Sequence, residues 1–516
     1  MLKKITLFVT LICLIISSFA GCGGGAKNAS GKAGSQIEIS YWNSGLSKEW
    51  LDEVIKAFEA KYPQYTVSYT ASASQNAVNA GFGVDGDTVD IYMSAGINDL
   101  SKMECLDDVL DSTADGDKKT IREKFLDGYL KIAKSPDGKI YSLTFGGGIL
   151  GFVYNTEHFK KAGIEQIPRT TNELATACDS LYSAGYKPLC HFSPTGYWHW
   201  MSEVFFSQYD GMDYYINNFY GCTDEKGNSP SKEVFTKKDG RYQTLKVYEK
   251  IITPEYILDG SNSGDHITAQ TQFINGNVSM MVTGSWITTE MKSVGGLEKF
   301  AMMRTPVISA ITDKLDTVKT DSNLRRLIST LDDIADGKKK AEDFADGENY
   351  KIGDMTVSKH DWDYVHNARF TLTSVYNGDV AVIPKYSDNI KGAKEFLRFL
   401  YSDEGYKVYE DILKIPMPLS LSDGTQLNTK NWNDFEISQL NLIEEADYVI
   451  GNGTRSEHRI FSDGGASAYA GYNYVSALCT NNSRDRKTAN QIWQIVQDRI
   501  NDNYENSWLK NIKNNK

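Results

Sequence analysis

Several groupings in this 516-residue chain carry residue types that could do chemistry. Asp85, Asp87 and Asp90 form one acidic group, and Asp361 and Asp363 another. Cleavage of a glycosidic bond needs two carboxyl groups about 5–9.5 Å apart across it. Nearness in sequence does not supply that separation, and the first group reads as a turn before a strand, so no catalytic role is expected. Asp111-x-Thr113-x-Asp115-Gly116 begins like a calcium loop, but Arg122 stands where the twelfth-position glutamate belongs and Glu123 comes one place late. Cys190, His191 and His199 lack zinc-ligand spacing. Residues 146–151 have neither the Lys-Ser/Thr of a phosphate loop nor the G-x-G-x-x-G of a dinucleotide site. Neither metal nor cofactor is expected. What remains is aromatic and suited to non-covalent binding: Trp42 with Asn43 and Ser44, Trp198 and Trp200 around His199, Trp286 after Gly284-Ser285, Trp362 between the two aspartates, and Tyr472 in a glycine-rich stretch. Sugars expose apolar C–H faces and polar rims, so rings that stack and amides or carboxylates that ring the hydroxyls can hold them. For each of these rings the competing reading is an ordinary core or surface aromatic.

Regular elements must position these side chains. Residues 37–42 alternate as a strand ended by Asn43-Ser44-Gly45. Leu51, Val54, Ile55, Phe58 and Tyr62 then fall at helical spacing, Pro63 stops the run, and residues 65–69 alternate again. Strand, helix and strand in that order imply a parallel α/β sheet. A further strand over 89–93 ends in Ser94-Ala95-Gly96, at the carboxyl end where open α/β sheets bind ligands, which makes Ser94 a candidate contact. Gly146-Gly147-Gly148 between two strands permits torsions other residues resist and reads as a first crossing between lobes, with Gly147 a candidate contact there. A second crossing is expected near Gly378. Leu324, Leu327, Ile328, Leu331 and Ile334 make an amphipathic helix, Lys338-Lys339-Lys340 a solvated, mobile surface, and Ile492, Ile495, Val496 and Ile500 a final helix.

The amino end reads as a secretion signal: Lys3 and Lys4, an apolar run over 5–16, then Ser17-Ser18-Phe19-Ala20-Gly21-Cys22. That run is shorter than the roughly 20 residues a spanning helix needs. Cysteine after Ala20-Gly21 resembles a bacterial lipobox, with Phe19 in place of the usual leucine, and implies a lipid anchor on Cys22 that holds the protein at the outer face of the cytoplasmic membrane. Residues 23–35 read as a flexible tether. A formal charge of −12 without a basic stripe argues against nucleic acid. Cys105, Cys178, Cys190, Cys222 and Cys479 form an odd set without a C-x-x-C pair, so buried free thiols are expected, with pairing of Cys178 and Cys190 left open.

Phe273, Gly276, Ser279, Met280, Gly284 and Trp286 resemble the F-x-x-G-x-x-A-M-x-x-x-G-x-W segment of the extracellular solute-binding proteins that feed sugar ABC importers, with Ser279 in place of alanine. Residues 154–164 resemble that family's Y-N-x-x-x-F-x-x-A-G-I, and Pro168 to Leu174 its P-x-T-W-x-E-L with Thr171 where tryptophan is usual. Residues 379–400 resemble its return strand and A-x-x-F-L helix. The resemblance covers roughly residues 36–306 and 370–425. It implies a two-lobed type II periplasmic-binding-protein-like fold, each lobe a parallel-dominated sheet flanked by helices, with the ligand cleft between. The expected division is 1–21 signal, 22–35 tether, 36–149 with 379–424 as the first lobe, and 150–378 with 425–516 as the second, 307–369 being an insertion. It further implies a monomeric, non-enzymatic lipoprotein that captures a carbohydrate and passes it to ABC permease transmembrane subunits. The alternatives are a glycan-capture or sensor lipoprotein of the same fold, and a binding protein for a polyamine or peptide.

Overall fold

The computed structural model describes residues 35–43, 45–97, 99–135, 137–146, 148–374, 378–451 and 467–514. Cys22 and the signal and tether residues 1–34 lie outside them, as do Ser44 and Gly147.

Alternation builds the first strand as expected: β1 (Gln36–Trp42) buries Ile37, Ile39 and Tyr41. The helix Glu49–Lys61 turns Trp50, Leu51, Val54, Ile55 and Phe58 onto the sheet and delivers the chain to β2 (Thr66–Ser72), parallel to β1. β3 (Ile91–Ser94) pairs with the other side of β1, also in parallel. β4 (Leu143–Thr144) closes this first sheet, and the returning β13 (Val380–Val382) inserts antiparallel between β3 and β4, giving the order β2-β1-β3-β13-β4.

After β4 the chain passes into a second sheet. It comprises β5 (Ile149–Asn155), β6 (Leu189–Cys190), β7 (Met280–Gly284), β8 (Phe300–Met303), β12 (Thr371–Ser374) and β14 (Tyr448–Gly451), in the order β14-β12-β5-β7-β6 with β8 also on β5. The two-lobed α/β architecture is the expected one, but the sheets are mixed rather than parallel-dominated. β5 runs antiparallel to β7, β8 and β12, as β13 does to β3 and β4, because each of these strands enters its sheet from the crossing. β12 with β14 and β6 with β7 keep the parallel sense.

Residues 307–369 contain the amphipathic helix Asp321–Ala335, capped by Thr320 and buried through Leu324, Leu327, Ile328 and Leu331. A small antiparallel sheet follows, of β9 (Ala345–Asp346), β10 (Asn349–Ile352) and β11 (Met355–Ser358), and then the helix Lys359–Arg369. Arg369 grips Asp332 with two hydrogen bonds of 2.8 and 2.9 Å, tying one helix to the other.

Both departures from the motif pattern have physical substitutes. The Ser279 hydroxyl lies 3.0 Å from Nδ1 of His158 in the core, and the Thr171 hydroxyl accepts the Ser309 backbone N–H at 3.0 Å. Cys178 and Cys190 do not pair: both are buried free thiols. Among the described residues no helix is long and apolar enough to cross a membrane.

Candidate functional site

Trp286 owes its position to two small neighbours. A Cβ on Gly284 would lie 2.1 Å from the Trp286 ring, so the indole folds back across the last residue of β7 only because that residue is glycine. Ser285 then fastens the turn to the start of β5: its N–H donates to the Ile149 carbonyl at 3.0 Å, and its hydroxyl accepts the Ile149 N–H at 3.0 Å. Gly148 adopts φ +63°, and a Cβ there would meet Ser285 at 2.5 Å. The Gly284-Ser285-Trp286 turn and the start of β5 are therefore one packed unit. Gly284→Ala is expected to displace the indole and weaken ligand binding about tenfold with a smaller effect on melting; unchanged affinity in a fluorescence titration would show that the ring's pose is irrelevant.

Two further rings complete an aromatic corner. Tyr197 and Trp200 stack at 5.1 Å with 6° between their planes, and Trp286 meets them edge-on at 5.4 Å and 6.3 Å. Tyr197 precedes the helix Trp198–Asp210, and the three-residue spacing puts Tyr197 and Trp200 on one face of it. The Trp200 indole N–H is buried and meets no protein acceptor. One helical turn beyond Trp286, Glu290 lies half-buried beside this corner. It accepts the Gln270 side-chain N–H at 2.7 Å, and Nε2 of His266 lies 4.0 Å away. Burial pushes its carboxyl above the usual range, opposed by the Gln270 hydrogen bond and by His266. Burial also pushes the Tyr197 hydroxyl up to about 12, with Glu290 adding to the shift and the Trp286 side chain opposing it.

The first lobe meets this corner through Gly45, whose φ of +123° carries the backbone so close that a Cβ would lie 3.6 Å from Glu290 Oε1 and 3.9 Å from Trp286 Cβ. Just before it, the half-buried Trp42 donates its indole N–H to the Ala73 carbonyl at 3.2 Å, and the half-buried Asn43 continues the ladder through its N–H to Ser72.

Three expected contacts prove to be structural. Trp198 is fully buried, its ring edge-on to Phe152 at 5.7 Å and Tyr248 at 5.2 Å in the second-lobe core, so the ring faces no cleft. Trp362 is 6% exposed and stacks at 3.9 Å on Tyr350 of β10. Its neighbour Asp361 accepts backbone N–H groups of Asp316, Thr317 and Val318 at 2.6 to 2.8 Å, which hold its carboxyl down to about 2 against the cost of burial. Asp363 pairs with Lys359 at 2.8 Å. Although Asp316, His360 and Asp361 lie close enough together to share a cation, these N–H donors already occupy both Asp361 oxygens. Ser94 is fully buried beneath the turn it precedes, whose Ala95 carbonyl takes the Gln75 and Asn79 amides at 2.9 and 2.7 Å. Tyr472 lies half-buried with its ring 4.9 Å beneath Arg499 and is not among the rings that pack with Trp286.

The acidic groups are likewise occupied. Asp87 accepts the Tyr92 and Tyr386 hydroxyls at 2.8 and 2.7 Å, Asp90 accepts the Glu38 N–H at 2.9 Å, and Arg122 donates to Asp111 at 2.6 Å within the would-be calcium loop. Sequence reasoning missed Tyr197, Gln270, Glu290 and Gly45. The spacing of 197 to 200 and of 286 to 290 was a legible signal for two of them.

A family model described as bacterial extracellular solute-binding protein matches residues 44–407. Over 177 residues the chain is 29% identical to the arabinooligosaccharide-binding protein of Bacillus subtilis (strain 168), an alignment that spans 32% of this chain but only 38% of that protein. Among solved structures it resembles the bacterial solute receptor AcbH, whose reported preference is for β-D-galactopyranose, with a TM-score of 0.59, 15% identity and coverage of 91% of this chain and 99% of that one. It also resembles the binding protein BlMnBP1 of a Bifidobacterium animalis subsp. lactis ATCC27673 ABC transporter in complex with mannobiose, with a TM-score of 0.54, 16% identity and coverage of 94% and 97%. At these identities the structural likeness speaks for the fold.

Proposed function

We propose that this chain, which belongs to the bacterial extracellular solute-binding protein family, captures a carbohydrate between its lobes and delivers it to the transmembrane subunits of an ABC importer. The observation that carries this reading is the corner of Trp286, Trp200 and Tyr197 with the Glu290 carboxylate at its edge and Gly45 of the other lobe against it. Rings serve the C–H faces of a sugar and the carboxylate serves its hydroxyls. A ligand held from both sides favours the closed arrangement, because only that state makes both sets of contacts, and the permease then reads closure. The names of the related proteins, which bind arabinooligosaccharide, galactopyranose and mannobiose, support the same class of ligand. Binding and release complete the task, so the chain performs no bond-breaking chemistry.

The first lobe is residues 36–149 with 379–424 and the second 150–378 with 425–516, and the protein works as a monomer. Trp42 and Asn43 form the first-lobe side of the cleft, and Tyr472 is an outlying contact of the second. Cys22 carries the lipid that keeps the protein at the membrane. Cys22→Ser is accordingly expected to shift the protein from the membrane fraction to the medium without altering its ligand; retention of the variant in the membrane fraction would discard the anchor. A polyamine ligand has lost its motive, since Asp361 and Trp362 are committed to holding the 307–369 segment together.

The test is a melting-shift panel of galactose, mannobiose, raffinose and arabinotriose beside putrescine and a tripeptide. A ligand at a hundred times its dissociation constant adds about 2.7 kcal/mol of stability, a resolvable shift. A shift with a saccharide supports the reading, whereas a shift with only the amine or peptide overturns the carbohydrate assignment.

A further inference from the structure

We infer that Glu290 is the specificity-determining residue of this site: its carboxylate accepts hydroxyl hydrogens from a neutral saccharide lying on the aromatic corner and turns away sugars that carry an acid group. The inference rests on the carbohydrate reading above and adds a ligand class to it.

Position is the first argument. Glu290 follows Trp286 by four residues and ends the short helix Ile287–Glu290, so its side chain lies one turn from the indole, at the rim of the corner. A sugar that stacks its C–H face on a ring presents its hydroxyls at that rim, where an acceptor can meet them.

Constraint is the second. Gln270, fully buried on the helix His266–Ile274, donates its amide N–H to Glu290 Oε2 at 2.7 Å and so fixes one oxygen. The other, Oε1, lies 4.0 Å from Nε2 of His266 and faces Gly45, where a Cβ would stand 3.6 Å away, so this oxygen is turned toward the first lobe. The Gln270 Oε1 atom is itself buried without a donor, and so is the Trp200 N–H without an acceptor. Buried polar atoms in native proteins normally find partners. Of the two, the Trp200 N–H belongs to a ring of the corner itself, and a sugar hydroxyl is an acceptor of the kind it lacks.

Charge is the third. Among the described residues the cationic group within 4.0 Å of the carboxylate is His266, and the Arg and Lys ion pairs of the protein lie on other carboxylates. Burial already disfavours the charged form of Glu290, so a second anion brought beside it would meet like charge in a partly desolvated setting. A hydroxyl donor instead makes a charge-assisted hydrogen bond, roughly twice the strength of a neutral one. Sites built to hydrogen-bond one group reject analogues that cannot reciprocate far better than apolar pockets reject a change of size.

The full chain in detergent would be titrated by tryptophan fluorescence with galactose, mannobiose, raffinose, arabinotriose and galacturonate. The wild type is expected to bind one of the neutral saccharides and to bind galacturonate at least tenfold more weakly than it binds that sugar. Glu290→Gln is expected to weaken the neutral sugar at least tenfold and to narrow its margin over galacturonate, with melting unchanged, while Glu290→Asp recovers part of the discrimination. If Glu290→Gln binds the neutral sugar as tightly as the wild type with the same margin over galacturonate, this inference is overturned and the carbohydrate reading stands. If the wild type binds none of the neutral saccharides, the carbohydrate reading itself falls and takes this inference with it.

Discussion

Trp286→Ala is expected to weaken carbohydrate binding by about 10- to 100-fold, equivalent to about 1.4–2.8 kcal/mol, while lowering the melting temperature by no more than a few degrees. The asymmetry follows from how the turn is built. What fixes β7 to β5 is the ladder of pairs from Leu150↔Gly284 to Tyr154↔Met280, extended by the two Ser285 hydrogen bonds to Ile149. None of these uses the indole. The ring is half-buried, leaning over Gly284 with its edges against Tyr197 and Trp200, so its removal uncovers little of the core. A collapse of melting alongside the loss of binding would mean that the ring supports the fold, and retained affinity would end its role as a platform. Removing Trp200 as well should cost less than the two single losses added together, because the rings share one ligand face and neighbouring contacts are not additive.

Stability, by contrast, should respond most to Glu410, a carboxyl buried in the first-lobe helix Asp403–Leu413. Glu410→Gln is expected to raise stability at pH 7 by about 1–3 kcal/mol and to flatten the pH dependence between about 4.5 and 8. The side chain sits on the helix Asp403–Leu413 and is 2% exposed. Burial pushes its carboxyl up to about 8, and the nearby Tyr406 hydroxyl and Met417 N–H offset that only in part, approaching without good hydrogen-bond geometry. The sign follows from the direction of the shift. Below its unfolded value the group is protonated in both states and folding loses nothing. As pH rises from there toward about 8, the unfolded chain has released a proton that the folded chain retains, so each unit costs the folded state about 1.4 kcal/mol. Glutamine is neutral throughout and removes that dependence. Urea unfolding at pH 5, 7 and 8.5 measures it, and an identical slope in the variant would place the titration on another group.

Much of this architecture was legible in the residues. The alternation of Ile37, Ile39 and Tyr41, the helical spacing from Leu324 to Leu331 and the folding of the Trp286 ring back over Gly284 each depend on contacts within a few positions, where backbone periodicity and the absence of a Cβ decide the outcome. The family motifs pointed to the two-lobed fold in the same way, because four different local segments stand in the family's order within the matched residues 44–407. Other features belonged to the tertiary structure alone. Trp198 and Trp200 look equivalent in the chain, yet Phe152 and Tyr248 draw Trp198 into the core while Trp200 stays at the corner. Trp362 between two aspartates resembles a cation site until Tyr350 and the backbone of residues 316–318 claim ring and carboxylate. The strand sense of β5 and β13 depended on the direction from which the crossings enter each sheet. Gly45, Tyr197, Gln270 and Glu290 come together from four separate segments, a meeting that long-range packing and burial bring about and that no periodicity within a single segment encodes.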